Sequence, residues 1–328
     1  MKKKIIRKIF LMFVLVACSC IIITSYILEN GSNYLAASID KYRVLEKTPS
    51  PKIIFVGGSN LALGINSPRI KEKLGMNVVN MGLCVGLGLR YMINEIRDKI
   101  SEGDIIVISP EYEHFQGDFF YGDENLFRLL LENPSIYRHL SFKQFIVRTI
   151  SFAKSFQRAF RWFVDRLYMR FVLHAELPKD EIYFREGFNQ FGDFVAHLNK
   201  PSPKVLYQKM QMDTSFYSST HVASYLNSFH EEAARKKAKV YYLFPSLPVP
   251  IYKQFEKEFI AFNIWLRKNI TIPVIESPEQ AILPESYFFD TYYHLTNSGV
   301  QIRTERIIQR MNQELKIQSL PARRQGTT

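Results

Sequence analysis

The fold is decided by the segment Lys52–Asn60, which reads KIIFVGGSN. It opens with a run of apolar β-branched and aromatic residues, which is typical of a strand buried on both faces of a parallel sheet. Two glycines then let the chain turn sharply, and Ser59 follows them. The pattern predicts a strand over Lys52–Val56 with Ser59 just beyond its carboxyl end, the edge at which open α/β sheets bind ligands.

Short apolar runs alternate with helical stretches along the rest of the chain. The further predicted strands are 77–79, 104–108, 239–244 and 273–275, and the predicted helices are 67–74, 89–100, 219–236, 250–268 and 297–315. This alternation indicates an α/β domain, doubly wound, with a mainly parallel five-stranded sheet of the flavodoxin-like kind.

The predicted domain spans residues 51–315 and is followed by a frayed tail, 316–328. A mostly helical insertion is predicted at about 115–212. Within it, Phe142–Phe171 carries seven Lys or Arg residues against one acid, with aromatic residues interleaved. Such a stretch suits a membrane surface, a cationic wall for an anionic substrate, or an ordinary helix with a solvated charged face.

The amino-terminal segment has the pattern of a membrane anchor. Residues 9–28 form a run of twenty residues without a charge, long enough for the hydrocarbon core of a bilayer. The preceding basic tail, 1–8, predicts a cytoplasmic amino terminus by the positive-inside rule. A linker or leading helix, 29–50, would then connect this single-pass anchor of the cell (inner) membrane to an extracytoplasmic domain. A cleaved signal peptide and a lipoprotein signal at Leu15–Cys18 are the alternatives considered.

Charge and cysteine content limit the classes of ligand that the protein is expected to bind. The net charge of +12 favours an anionic neighbour such as lipid headgroups, an acidic glycan or nucleic acid. We expect no nucleic acid, because an anchored domain outside the cytoplasm would rarely meet it. Gly82, Gly86 and Gly88 do not follow the spacing of a dinucleotide site. The three cysteines show no metal-binding spacing. Glu111, Glu113 and His114 raise a metal site as an alternative, but no further ligand cluster accompanies them, and we predict neither metal nor cofactor.

A candidate acid–base pair lies just before the last predicted helix. Asp290 and His294 are four residues apart in the loop YFFDTYYHL. In a turn, that spacing lets the carboxylate reach the imidazole and fix its tautomer, so that the ring can accept a proton from Ser59. The sequence therefore predicts a Ser59–His294–Asp290 triad at the sheet edge.

Four stretches in this order resemble the SGNH/GDSL hydrolase superfamily, most closely its membrane-anchored members that O-acetylate or D-alanylate cell-envelope polysaccharides. The stretches are Ile53–Asn60, Val78–Gly86, Asp104–Glu111 and Phe289–Leu295. The resemblance implies that Ser59 is the nucleophile and that its amide helps to form the oxyanion hole. It also implies a glycine amide as a second donor, which we assign to Gly86, with Gly82 as the alternative.

The sequence departs from the family pattern at three points. Gly58 precedes the serine where an aspartate is usual, Glu111 stands in the block that usually supplies an asparagine, and the Asp-to-His spacing is one residue longer. We expect the pocket to be lined by Asn60, Glu111, His114 and Tyr293.

Two functions follow as expectations. The first is a serine esterase or O-acyltransferase that moves an acyl group, most simply acetyl, on a cell-envelope polysaccharide through an acyl-serine intermediate. The alternative is a catalytically inactive protein of the same fold that binds a glycan or presents it to a partner. The expected partners are the glycan, membrane lipid through the amino-terminal helix, and an integral membrane acyltransferase.

Overall fold

In the computed structural model, the described residues are 33–144, 182–203 and 214–319, with parts of 4–15 and 164–174 and residues 210 and 212. Four strands form one sheet: β1 (Lys52–Gly57), β2 (Asn77–Asn80), β3 (Ile105–Ser109) and β4 (Lys239–Tyr242). All pairings are parallel, and the order across the sheet is β2-β1-β3-β4. This order matches the first four positions of the flavodoxin-like arrangement.

The strands are buried on both faces, as their continuous apolar runs predict. Ile54 of β1 lies opposite Val79 of β2 and Ile106 of β3, and Val107 of β3 lies opposite Tyr241 of β4. All five residues are almost completely excluded from solvent.

Helices connect and cover the strands. The α-helices are α1 (Ala37–Lys47), α2 (Ser59–Ala62), α3 (Ser67–Leu74), α4 (Leu89–Arg97), α5 (Glu124–Glu132), α6 (Thr220–Arg235), α7 (Val249–Gln254), α8 (Glu256–Asn269), α9 (Pro278–Ala281) and α10 (Asn297–Ser319). Short 3-10 turns lie at Tyr34–Ala36, Val85–Leu87, Tyr112–Phe115, Phe119–Tyr121, Pro134–His139, Arg185–Gly187, Thr214–Ser218 and Glu285–Tyr287, and a π-helical turn lies at Tyr168–Val172.

Alternate residues of each strand enter two separate cores, so the sheet is covered on both faces. Ile54 and Ile106 belong to the core that contains residues of α1, α4, α6 and α8. Ile53 and Val107 belong to the core that contains Ile70 of α3 and residues of α10. Helices on both faces of a parallel sheet make the domain compatible with a doubly wound α/β fold.

The prediction of a fifth strand was wrong. Val274 makes only a single parallel bridge with Tyr242 of β4. The Tyr242 amide donates to the Pro273 carbonyl at 2.9 Å, and the Ile275 amide donates to the Tyr242 carbonyl at 3.1 Å. Proline has no N–H to extend the ladder on its own side, and the described sheet therefore ends at β4.

The predicted membrane anchor falls mostly outside the described residues. Of the stretch 9–28, residues 10–12, 14 and 15 are described, and they are helical and exposed. Within the part of the chain that the structure describes, no helix combines the length and the apolar character that a membrane crossing requires.

The predicted insertion is described only in part. The basic aromatic stretch lies largely outside the described residues, and α5 follows the 3-10 turn Phe119–Tyr121. The segment 182–203, which we name the strap, consists of turns and isolated bridges where mostly helical structure was predicted. Buried Asp193 fastens the strap to the domain, accepting from the Ser67 hydroxyl at 2.6 Å and the Asn80 side-chain amide at 2.9 Å. Bonds from the strap to other elements replace the internal hydrogen bonds of a helix.

Candidate active site

The site lies at the carboxyl edge of the two central strands. Ser59 follows β1 and Glu111 follows β3, and these strands are neighbours in the sheet. Strand order reverses between them, since β2 lies beyond β1 while β4 lies beyond β3. In open α/β sheets, the crevice at such a reversal is where ligands bind.

Ser59 begins the short helix α2 and is held by a carboxylate. Its hydroxyl donates to Oε1 of Glu111 at 3.1 Å, and the Asn60 amide donates to the same oxygen at 3.0 Å. The Ser59 backbone also hydrogen-bonds to this side chain. Glu111 thus takes both the hydroxyl proposed as nucleophile and the amide predicted as an oxyanion donor.

The Glu111 carboxyl lies in an environment that disfavours its charge. The residue is completely buried, and its Oε2 has no hydrogen-bond partner among the described residues. Burial raises the pKa of Glu111 to about 8, and the neighbouring charge of Glu113 adds to the rise. The hydrogen bonds from Asn60 and Ser59 act in the opposite direction without cancelling it.

Asp290 and His294 meet in the loop before α10. Phe288 and Leu295 form an antiparallel bridge that closes the loop, and the Phe289 amide donates to the His294 carbonyl at 2.8 Å. This closure brings Nδ1 of His294 to 2.8 Å from Oδ1 of Asp290. Burial alone would raise the pKa of Asp290, but its hydrogen bond and charge interaction with His294 hold that pKa below the ordinary value.

The sequence analysis missed Tyr183, which completes this pair. Its hydroxyl donates to Oδ2 of Asp290 and lies 2.9 Å from Nδ1 of His294. With Nδ1–H directed to Asp290, Nε2 becomes the accepting nitrogen of the ring. Tyr183 comes from the strap, more than a hundred positions earlier in the chain, and no local motif marks it.

His197 is a second strap residue that the sequence analysis missed. It is buried, and its Nε2 lies 2.9 Å from the carbonyl oxygen of Leu295, the residue after His294. Burial lowers the pKa of His197 to about 4, so the ring is neutral near pH 7 and Nε2–H can donate to that carbonyl. His197 therefore supports the loop that carries the acid–base pair.

The Ser59–Glu111 contact and the Asp290–His294 pair lie at the same sheet edge, but no hydrogen bond among the described residues joins one to the other. The Leu295 amide donates to the Leu63 carbonyl at 3.3 Å, just after α2. Burial is the main cause of the raised pKa of Tyr34. The charges of Glu111 and Asp290 also raise it, so both carboxyl groups act on the same tyrosine. In the described structure, no hydrogen bond joins Ser59 to His294, and Nε2 of His294 makes none.

Tyr34 lies where the described domain begins. Its ring centroid is 5.6 Å from that of Tyr183, and its hydroxyl donates to the Leu83 carbonyl at 2.8 Å. Asn33, one residue earlier, bridges Phe184 of the strap. The chain therefore enters the domain beside the Asp290–His294 pair.

Both glycines proposed as oxyanion donors use their amides internally. The Gly82 amide donates to the Asn80 side-chain oxygen at 2.9 Å. The Gly86 amide hydrogen-bonds to the Cys84 thiol, and the Gly86 carbonyl accepts from the Asp123 amide at 2.7 Å. In this conformation, neither amide is directed to a ligand.

The other residues expected in the pocket form hydrogen bonds between neighbouring loops. The Asn60 side-chain amide donates to the Ser109 hydroxyl at 2.9 Å. His114 is completely buried, with Nε2 3.1 Å from the Val85 carbonyl, and burial lowers its pKa to about 4. The Tyr293 hydroxyl donates to Glu113 at 2.8 Å. These contacts position the loops around Ser59 and leave the side chains little free surface.

The described residues include no group of three or more His, Cys, Asp or Glu side chains arranged to hold a metal ion. Glu111 faces Ser59, whereas Glu113 faces Tyr292 and Tyr293.

A cavity of about 410 Å³ lies near the amino ends of β1 and β2, opposite the site, and Arg43, Lys47 and Lys71 contribute cationic side chains to its lining.

Comparison with known proteins gives no family to which the site can be referred. A scan against protein-family models finds no match for this chain, and a search of the curated proteins finds none either.

Proposed function

We propose that the protein is a serine esterase or O-acyltransferase that acts on an acylated cell-envelope polysaccharide. The observation that carries the proposal is the Asp290–His294 hydrogen bond, 2.8 Å long, at the same sheet edge as Ser59. An imidazole with one nitrogen held by a carboxylate and the other unpartnered in the described structure is prepared to act as a general base. The resemblance of four ordered segments to SGNH/GDSL hydrolases supports the same chemistry.

The reaction divides into two acyl transfers. Oγ of Ser59 attacks the acyl carbonyl while Nε2 of His294 accepts the hydroxyl proton, and Asp290 stabilises the resulting imidazolium. The tetrahedral intermediate then expels the sugar oxygen, which takes the proton from His294, and an acyl-Ser59 remains. Water or a second sugar hydroxyl attacks this ester, His294 accepts its proton, and Ser59 is regenerated with the proton returned to Oγ.

Reaction requires the Ser59 hydroxyl and an oxyanion donor to leave the partners that they have in the observed conformation. The Ser59 hydroxyl donates to Glu111, so it must turn toward Nε2 of His294 when substrate binds. Catalytic hydrogen bonds are often absent or long in an empty site and tighten in the substrate complex.

The predicted topology favours a substrate outside the cytoplasm. With the basic tail 1–8 in the cytoplasm and the uncharged run 9–28 across the membrane, the following domain would lie on the extracytoplasmic side. There, the domain would meet envelope glycans, and an integral membrane acyltransferase would be suited to supply or receive the acyl group.

A fluorophosphonate probe tests the catalytic proposal. Ser59 would displace fluoride from the probe and become covalently phosphonylated, with intact-protein mass spectrometry as the readout. We expect Ser59→Ala to abolish labelling, and His294→Ala to slow it by roughly a thousandfold, the scale for the loss of a triad base. His230→Ala is the matched control, because that histidine bonds to Thr271 on the surface. Equal labelling of wild type and Ser59→Ala would refute the proposal.

A non-catalytic, glycan-binding protein is the second candidate. It is favoured by the Ser59 hydroxyl, which is engaged by Glu111 and not by His294. This function predicts no Ser59-dependent labelling at any pH, together with retention of the purified full-length protein on immobilised anionic polysaccharide. Labelling that requires both Ser59 and His294 would exclude it.

A further inference from the structure

Glu111 has no role in the two acyl transfers described above, yet its carboxyl group contacts the reacting residue at two points. Oε1 accepts the Ser59 hydroxyl at 3.1 Å and the Asn60 amide at 3.0 Å, and the carboxyl group also bonds to the Ser59 backbone. A side chain that binds both the nucleophile and its neighbouring amides occupies the donors that a substrate acyl group would need. Glu111 therefore competes with substrate for Ser59.

The turn before Ser59 is shaped around this carboxyl group. A Cβ atom built on Gly58 would lie 2.6 Å from Oε1, 2.7 Å from Cδ and 2.9 Å from Oε2 of Glu111. The backbone φ of Gly58 is −89°, a value that any residue adopts. A side chain at position 58 would therefore require the Glu111 carboxyl group to move.

Among the described residues, no Lys, Arg or His side chain forms an ion pair with the Glu111 carboxyl group. The ionisable groups in the described structure that act on it, or on which it acts, are acidic or neutral. They are Tyr34, Cys84, Glu113, Tyr292 and Tyr293. His114, whose Nδ1 lies 3.2 Å from the Glu111 carbonyl, is neutral near pH 7 because burial lowers its pKa to about 4. The carboxyl group is therefore poised between its neutral and ionised forms.

We propose that Glu111 is a positioning residue whose ionised form holds the Ser59 hydroxyl and backbone away from substrate and whose neutral form releases them to His294 and the acyl carbonyl. This inference rests on the proposed acyl chemistry at Ser59. Hydrogen bonds to an ionised carboxylate are roughly twice as strong as those to a neutral acid, so ionisation retains the hydroxyl. The same charge would repel the oxyanion that forms on the acyl group.

The test is the pH dependence of fluorophosphonate labelling of the full-length protein. Wild type, Glu111→Gln and Glu113→Gln are labelled between pH 6 and pH 9.5. With a Glu111 pKa of about 8, the neutral fraction falls about thirtyfold by pH 9.5, and the wild-type rate should fall with it. Glu111→Gln, which cannot ionise, should lose this alkaline decline, and the shape of its pH profile is the readout.

Glu113→Gln is the matched control, since it removes a neighbouring carboxylate without contacting Ser59. Its alkaline decline should remain and move to lower pH, because the charge of Glu113 helps to raise the pKa of Glu111. If Glu111→Gln is not folded by circular dichroism, Glu111→Asn provides the same comparison. A purely structural role for Glu111 would change the rate without changing its pH profile.

Three results would overturn the inference. Loss of labelling in Glu111→Gln at every pH, in a folded protein, would make Glu111 the base that activates Ser59. An alkaline decline identical to that of wild type would show that another group controls the rate. Absence of Ser59-dependent labelling from all three proteins would overturn the proposed function itself, and this inference with it.

Discussion

Replacing Glu111 by glutamine should change how the stability of the protein depends on pH. Burial raises the pKa of Glu111 from its ordinary 4.5 to about 8 in the folded chain. Below pH 4.5 the group is protonated in both the folded and unfolded states. Between these two values unfolding releases a proton, so the free energy of unfolding falls as the pH rises. A difference of about 3.5 pH units corresponds to a loss of at most about 5 kcal/mol, which is complete by about pH 8.

The measurement is urea denaturation of wild type and Glu111→Gln at pH 5, 6, 7 and 8, with the free energy of unfolding extrapolated to water. Other buried groups with perturbed pKa values, such as Glu95 and Lys41, are present in both proteins, and their contributions cancel in the difference. Glu256→Gln is the control, because that carboxylate is exposed on α8.

We expect Glu111→Gln to gain stability relative to wild type as the pH rises, with the difference growing most steeply between pH 5 and pH 8. Parallel curves, separated by less than about 0.5 kcal/mol throughout, would show that the folded chain does not bind this proton more tightly than the unfolded chain. The physical basis of the positioning role would then be lost, whatever the activity of the variant.

Three further substitutions have defined outcomes. Gly58→Ala should destabilise the fold by about 1–3 kcal/mol because the new methyl group meets Glu111, and Glu111→Ala should relieve most of that loss in urea denaturation; an equal cost in both backgrounds would contradict this packing. Glu276→Ala should cost about 3–5 kcal/mol because it leaves the guanidinium of Arg303 buried without its partner, 2.8 Å away in the folded protein, and an unchanged melting temperature would count against it. Tyr183→Phe should slow fluorophosphonate labelling by about 10- to 100-fold with little change in stability, and an unaltered rate would remove the hydroxyl from any positioning role.

Elements set by local signals agree well between sequence and structure. The predicted helix 67–74 is found as Ser67–Leu74, with the Asn66 side chain capping its first turn and Gly75 ending it at a φ of 68°. Its boundaries follow from residues within one turn of each end, so the sequence alone suffices. The predicted helix 250–268 instead divides at Phe255 into α7 and α8, a break for which the sequence offers no glycine or proline.

Features that depend on distant parts of the chain were not predictable. The predicted strand 273–275 begins with Pro273 and makes only one bridge to β4, and the sequence gives no indication of how far that pairing extends. Tyr183 reaches Asp290 only because Asp193 and neighbouring residues fasten the strap to the sheet edge. Gly58 and Glu111 each depart from the SGNH/GDSL pattern that the sequence resembles, and only the geometry shows that they lie against one another.

With the predicted anchor in a membrane, the entry of the chain beside Tyr183 would set the orientation of the domain. Asn33 pairs with Phe184 at the edge that carries Ser59 and His294, and only residues 29–32 separate it from the end of the predicted anchor. Even fully extended, the step from Leu28 to Asn33 spans about 18 Å. A domain tethered so closely would turn the sheet edge that carries Ser59 toward the lipid and its cationic cavity away from it. A substrate carried on a lipid would then lie within a short distance of Ser59.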